Sequence, residues 1–243
     1  AGGIGKATAK LFNEEQAKLV LVDLDEKSLQ TTASELGLRQ GEHLTIPADV
    51  TKEDHVREYV EKTLSTFGKI DVFFNNAGIE GKFAMLTEQK ASDFDNVLAV
   101  NVKGVFYGMK HVLKAMIAQR SGSVINTASV AGLRGSPGMS PYIASKHAVV
   151  GLTKTAALEC AESGVRVNAV CPAPVNTRMM RSIEKGASPE KAEEAQKQFA
   201  EAIPMKRYAE AEEIGQLVLF LASENASYIT GGCYTIDGGM TAL

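Results

Sequence analysis

The stretch Lys18-Leu-Val-Leu-Val-Asp23 is an unbroken apolar run closed by an acid. Strict alternation would mark a strand with one wet face; a continuous run marks a strand covered on both faces, as in a parallel sheet. Upstream, Ala1-Gly-Gly-Ile-Gly-Lys-Ala-Thr-Ala9 leads directly into an amphipathic helix through Leu11 and Phe12. Glycines ahead of a helix let backbone N–H groups approach a phosphate at the positive end of the helix dipole. The same glycines also read as a helix cap or a flexible end, because no strand precedes them. Asp23 lies about 20 residues beyond Gly3 and Gly5, the spacing at which an acid takes the adenosine ribose hydroxyls of a dinucleotide. Its other reading is a helix N-cap, a role open to Asp25 instead. Leu24-Asp25-Glu26-Lys27 contains no arginine to hold a 2′-phosphate, so NAD is preferred over NADP.

Working outward, helix and strand patterns alternate. Helices are predicted over 26–36, 52–67, 93–119, 142–163 and 212–221, and strands over 44–47, 70–74, 123–127, 165–171 and 233–236. Strands separated by helices of this length require right-handed crossovers and a parallel sheet with helices on both faces. The predicted fold is therefore α/β: a Rossmann-type, doubly wound parallel sheet in three αβα layers, forming a single domain over 1–243. Polar residues 178–208, broken by Gly186 and Pro189, follow a strand end and suit a helical substrate lid.

Composition narrows the function classes. A net charge of −3 leaves no electrostatic footprint for nucleic acid, and no apolar run approaches a membrane span. Cys160, Cys171 and Cys233 are odd in number and lack ligand spacing, and the four histidines are scattered. The expectation is no metal, no nucleic acid and no membrane, with reduced thiols in a cytoplasmic protein.

The chemistry-bearing residues fall at strand ends. Tyr142-Ile-Ala-Ser-Lys146 places a phenol and an ammonium on one helical face, and the cation should draw the phenol below its usual pKa of about 10. Ser129, in the loop after the 123–127 strand, completes a site for moving a proton on and off an alcohol oxygen. Asp49-Val50 and Asn75-Asn-Ala-Gly78 lie just past the carboxyl ends of their strands, where open α/β sheets bind ligands. The second also reads as a plain Asn/Gly turn. Asn101, inside a helix, marks either a packing-satisfied side chain, or a kink or carbonyl-bound water beside the reactive site.

Together, Gly3-Ile-Gly5, Asp49-Val50, Asn75-Asn-Ala-Gly78, Asn101, Ser129, Tyr142-x-x-x-Lys146, Pro172-x-x-Val-x-Thr177 and Asp237-Gly-Gly239 stand in the order and spacing of the short-chain dehydrogenase/reductase family, which the chain resembles along its whole length. The resemblance implies that Tyr142 is the acid/base, that Lys146 lowers its pKa and holds the nicotinamide ribose, and that Ser129 orients the substrate oxygen. Asn101 would hold a water in a proton relay. Gly3, Ile4 and Gly5 would face the pyrophosphate, Asp23 the adenosine ribose, and Asp49 and Val50 the adenine. Asn76, Ala77 and Gly78 would line the cofactor, and Pro172, Val175 and Thr177 the nicotinamide carboxamide. A homotetramer associating through the long helices and the last strand is also implied.

Two departures carry expectations. The family fingerprint opens with a strand and Thr-Gly ahead of the glycines seen here, so the sheet is expected to lack its first strand, about 12–16 residues with its turn. Weak cofactor binding and low stability should follow. Ala173 stands where glycine is usual, which is costly only if φ is positive there. Leu133, Met139, Ala173, Met179 and Met180 are the candidate substrate-facing residues and suit a hydrophobic alcohol or ketone, with the subgroup of cyclic and secondary alcohol dehydrogenases the nearest in look. The alternatives are a 3-oxoacyl-carrier-protein reductase, a glucose 1-dehydrogenase type, and a catalytically silent NAD-binding scaffold.

Overall fold

The computed structural model describes residues 2–242. Six strands alternate with helices: α1 (Gly3–Glu14), β1 (Leu19–Asp23), α2 (Glu26–Glu35), β2 (His43–Pro47), α3 (Glu53–Phe67) and β3 (Val72–Asn75) form the first half. The second half is α4 (Ala91–Leu98), α5 (Gly104–Gln119), β4 (Gly122–Thr127), α6 (Ser140–Cys160), β5 (Val165–Pro172), α7 (Arg178–Ala187), α8 (Ala192–Glu201), α9 (Ala211–Ala222) and β6 (Cys233–Ile236). Local chemistry sets the boundaries. Asp25 caps α2 by accepting from the Lys27 amide, α3 stops at Gly68 with φ 79°, and Glu210 and Glu213 form a capping box at the start of α9.

All strand pairs are parallel. β3-β4-β5-β6 form one sheet in that order and β1-β2 a second, and among the described residues no strand joins β1 to β3. Val105, Met109, Val112 and Met116 of α5, with Val149, Ala156 and Ala157 of α6, pack with Val124 and Val167 on one face. Ile214, Val218 and Leu221 of α9, with Ile4 and Phe12 of α1, cover Ile125 and Val170 on the other. This is the expected three-layer arrangement, and among the described residues no helix is long and apolar enough to cross a membrane.

Two expected elements differ. The 70–74 strand begins only at Val72, because the Gln119 side chain claims the Ile70 amide and carbonyl at 3.0 and 2.9 Å. The long 93–119 helix is interrupted: residues Ala99–Lys103 form a π-turn between α4 and α5, a feature that often marks functional sites.

Candidate active site

The carboxyl ends of β4 and β5 and the first turns of α6 converge. Ser129 sits two residues past β4. Its Oγ donates to the Pro172 carbonyl (3.3 Å), accepts from the Ala131 amide (3.1 Å) and hydrogen bonds the Tyr142 phenol. Lys146 is 4% exposed, and its Nζ donates to the Thr127 carbonyl at 2.7 Å while lying 5.5 Å from the Tyr142 ring centre. Gly132 lets this loop rest on α6, since a β-carbon there would sit 2.7 Å from the Lys146 carbonyl oxygen.

The electrostatics correct one expectation. The Tyr142 phenol is not lowered: burial pushes it up to about 12, the Ser129 hydrogen bond works against that rise, and the Glu80 carboxylate adds to it. Burial also draws Lys146 down to about 8, and its nearest acceptor is a carbonyl rather than the phenol. Desolvation of both groups outweighs their mutual attraction.

Asn101 is buried in the π-turn, and its side chain is fully used. Its Nδ2 donates to the Ile79 carbonyl (2.8 Å) and to Ser145 Oγ (3.0 Å), and its Oδ1 accepts from the Ile79 amide (2.8 Å). Of the two readings from sequence, the satisfied side chain and the broken helix both hold. The amide fixes the segment after Gly78, and a β-carbon on Gly78 would lie 3.7 Å from Lys146 Nζ.

The expected dinucleotide residues lie along the adjoining rim. α1 begins at Gly3 with no side-chain cap, which leaves its first N–H groups for an anion. β-carbons on Gly3 and Gly5 would meet Thr177 Cγ2 at 2.8 Å and Asn76 Nδ2 at 3.2 Å, so these four residues adjoin. Asn76 in turn accepts from Thr127 Oγ1 (3.0 Å). Ala77 is exposed, whereas the Ile4 side chain packs into the core, leaving its backbone for any ligand. Asp23 ends β1 with its carboxyl below the ordinary range: burial raises it, and hydrogen bonds including one from the Asp25 amide outweigh that. Asp49 accepts from the Thr51 amide (2.9 Å) and hydroxyl (2.7 Å), and Val50 packs on Gly104. Val175 bridges to Ala209, and Thr177 Oγ1 donates to the Val175 carbonyl (3.2 Å). These donors, the uncapped helix and the acid at the β1 end fit a nicotinamide dinucleotide.

A cavity of about 290 Å³ is lined by Glu80, Lys82, Phe83, Met139, Ser182 and Ile183, with Gly81 and Gly186. Met139 is the one expected substrate residue on its wall. Met180 packs with Ile203 and Tyr208, Ala173 lines a separate groove beside Ile236, and Leu133 is 41% exposed. Met179 is half-buried and also off this wall. Ala173 lies outside the positive-φ residues and carries no backbone strain. The sequence held a signal for the missed residues: 182, 183 and 186 follow Met179 at i+3, i+4 and i+7 on one face of α7. Glu80 follows Gly78 directly at the sheet edge.

A phenol, a serine and a lysine beside a dinucleotide rim define an oxidoreductase acting on CH–OH groups with a nicotinamide cofactor. A family model described as Enoyl-(Acyl carrier protein) reductase matches residues 1–241. Levodione reductase of Leifsonia aquatica is 44% identical over 242 residues, spanning 99% of this chain and 91% of that protein. The 3-oxoacyl-[acyl-carrier-protein] reductase FabG of Thermotoga maritima is 42% identical over 240 residues, 99% of this chain and 94% of that one. The crystal structure of levodione reductase superposes with a TM-score of 0.97, covering 100% of this chain and 95% of that chain. NAD+-bound xylitol dehydrogenase does so with 0.91 at 36% identity, covering 97% and 94%. The chain belongs to the short-chain dehydrogenase/reductase family.

Proposed function

We propose that the protein moves a hydride between NAD(H) and a hydrophobic, cyclic secondary alcohol or ketone, with Tyr142 as acid/base. The observation that carries this reading is the convergence of Tyr142, Ser129 and Lys146, with Glu80 of the cavity wall close enough to act on the phenol. A nicotinamide held along this rim would supply or accept the hydride at the substrate carbon. In reduction Ser129 donates a hydrogen bond to the carbonyl oxygen and Tyr142 delivers its proton there; in oxidation the proton returns along the same path. Lys146 lies between the Thr127 carbonyl and the tyrosine ring, where it would hold the nicotinamide ribose. Asn101 keeps the Gly78–Ile79 segment, and with it the lysine's surroundings, in place. The apolar wall formed by Phe83, Met139 and Ile183 supports a hydrophobic substrate, as does the likeness to levodione reductase.

Asp23 at the β1 end supports NAD over NADP through ribose hydroxyl recognition. Exposed Phe94, Phe106, Ile117 and Leu158 on α4, α5 and α6 support a homotetramer joined through these helices, and three free cysteines support a cytoplasmic location. Tyr142→Phe should abolish turnover while leaving NADH binding nearly intact; retained turnover would refute the assignment. A screen of cyclic ketones against 3-oxoacyl thioesters, each with NADH and NADPH, separates this substrate class from the carrier-protein reductase reading. NADPH preference in the wild type would overturn the role given to Asp23.

A further inference from the structure

Glu184 is a carboxylate that the reaction does not use, yet it is 2% exposed. It lies on α7, where its Oε1 accepts from Tyr208 Oη at 2.9 Å and its Oε2 faces Arg181 Nη1 at 3.2 Å. Arg181 also lies 5.7 Å from the Tyr208 ring centre and donates to Asn176 Oδ1 at 3.2 Å. Tyr208 opens a short strap. The next residue, Ala209, donates to the Pro174 carbonyl (3.0 Å) and accepts from the Asn176 amide (2.8 Å). The strap thus holds the 174–177 segment on one side and α7 on the other.

The two faces of α7 do different things. Ser182, Ile183 and Gly186 line the cavity, Met180 and Glu184 face the small cluster with Ile203 and Tyr208, and Ile183 touches both. Apolar packing alone would hold the helix down, and a buried charge pair is commonly no more stabilising than apolar residues of the same volume. What a directional carboxylate–phenol bond adds is a fixed rotation, because each residue's step turns a helix by about 100°. Gly186 makes rotation consequential, since a β-carbon there would lie only 3.1 Å from Phe83 Cβ across the cavity.

We propose that Glu184, held by Tyr208 and Arg181, is a positioning residue that sets the rotation of α7 and thereby the shape of the substrate cavity, and that the strap ties this shape to the segment beside the nicotinamide. The proposal rests on the reading that the cavity near Tyr142 takes the substrate. The test uses the full chain, NADH and the best ketone from the substrate screen, with Tyr208→Phe, Glu184→Ala, Glu184→Gln and the double variant Glu184→Ala/Tyr208→Phe. Tyr208→Phe and Glu184→Ala should each raise the ketone KM about tenfold while NADH Kd stays within about twofold. The double variant should be no worse than Glu184→Ala, as for two groups acting as one unit. Glu184→Gln retains an oxygen acceptor for Tyr208 and should keep KM within about threefold of wild type. If Glu184→Ala does not fold, Tyr208→Phe, which loses one oxygen, carries the test. An unmoved ketone KM in Tyr208→Phe with only a lowered Tm overturns the proposal, as does a parallel rise in NADH Kd. Turnover surviving in Tyr142→Phe would instead overturn the reading on which the proposal rests.

Discussion

Gly132→Ala tests whether the contact between the serine loop and α6 sets the catalytic geometry. The added methyl would lie 2.7 Å from the Lys146 carbonyl oxygen, 3.0 Å from its carbonyl carbon and 3.1 Å from Val150 Cγ2. Two of these neighbours are helix backbone and cannot rotate away. A relaxed C···O contact needs about 3.3 Å, so loop and helix must separate by about 0.6 Å. Ser129 rides on the loop and Tyr142 and Lys146 on the helix, so the separation opens the triad itself. A misplacement of about 1 Å costs roughly 100-fold in rate, which puts the expected fall in kcat at about tenfold or somewhat more. Overpacking of this kind costs about 1–3 kcal/mol, or about 2–12 °C in Tm for a chain of this size. Steady-state kinetics and thermal melting read both effects. Gly135→Ala, whose β-carbon would meet nothing within 4 Å, should behave as wild type in both. A Gly132→Ala enzyme with wild-type kcat would refute the geometric argument whatever its Tm.

The remaining predictions concern charge. With Tyr142 raised to about 12, alcohol oxidation should climb with pH above neutrality, and Glu80→Gln should move that rise to lower pH, because removing the carboxylate removes a cause of the upward shift; a pH–rate profile that stays put or moves up contradicts this. The Cys233 thiol is drawn below its ordinary range by the hydrogen bond with Cys171, so mass spectrometry after brief iodoacetamide treatment should find it alkylated before Cys160, and Cys171→Ala, which removes the donor, should remove that advantage. Equal rates at both cysteines would count against it. Glu213 is held down at about 2 by Arg207, with help from the Glu210 amide. A depressed carboxyl stabilises above its unfolded pKa of about 4.3 and loses that contribution as pH falls toward 2. The Tm gap between wild type and Glu213→Gln should therefore be present at pH 6 and narrow steeply as pH falls from 4 through 2. A gap of the same size at pH 2 as at pH 6 would assign the effect to something other than this charge.

The sheet was legible where burial is two-sided. The apolar Leu19–Val22 run and the 123–127 and 165–171 stretches appear as β1, β4 and β5 within a residue or so, with β4 and β5 buried between helices on both faces. The late start of β3 was not legible, because it depends on Gln119, whose side chain takes the Ile70 backbone from 49 residues away. Nor was the π-turn, since one extra residue per turn leaves the hydrophobic period almost unchanged; Asn101 was its only trace. Gly186 read as a lid break, yet it sits inside α7, which ends at Ala187 with Ser188 as its C-cap ahead of Pro189. Phe83 passes close by, and a β-carbon on Gly186 would lie 3.1 Å from Phe83 Cβ. The motif residues are readable because each keeps a local signature: Ser129 and Asn76 follow their strand ends, and Tyr142 and Lys146 stand one helical turn apart on α6. The cavity wall is legible only in part, because it is assembled from three distant segments, 80–83, Met139 and 182–186, of which only the α7 face has a helical period to show it.

The phenol shows where pattern and environment part. A four-residue spacing correctly put Tyr142 and Lys146 on one face, and a pairwise argument then lowered the tyrosine. The helix that brings them together also takes both out of water. Desolvation acts on each group alone and disfavours the phenolate and the ammonium alike, so the tyrosine rises and the lysine falls. One of the Lys146 ammonium's donors goes to the Thr127 carbonyl, and the Glu80 carboxylate pushes the phenol further up. At neutral pH the site therefore rests with the proton on Tyr142. On the proposed mechanism, that is the state that would protonate a carbonyl oxygen in reduction.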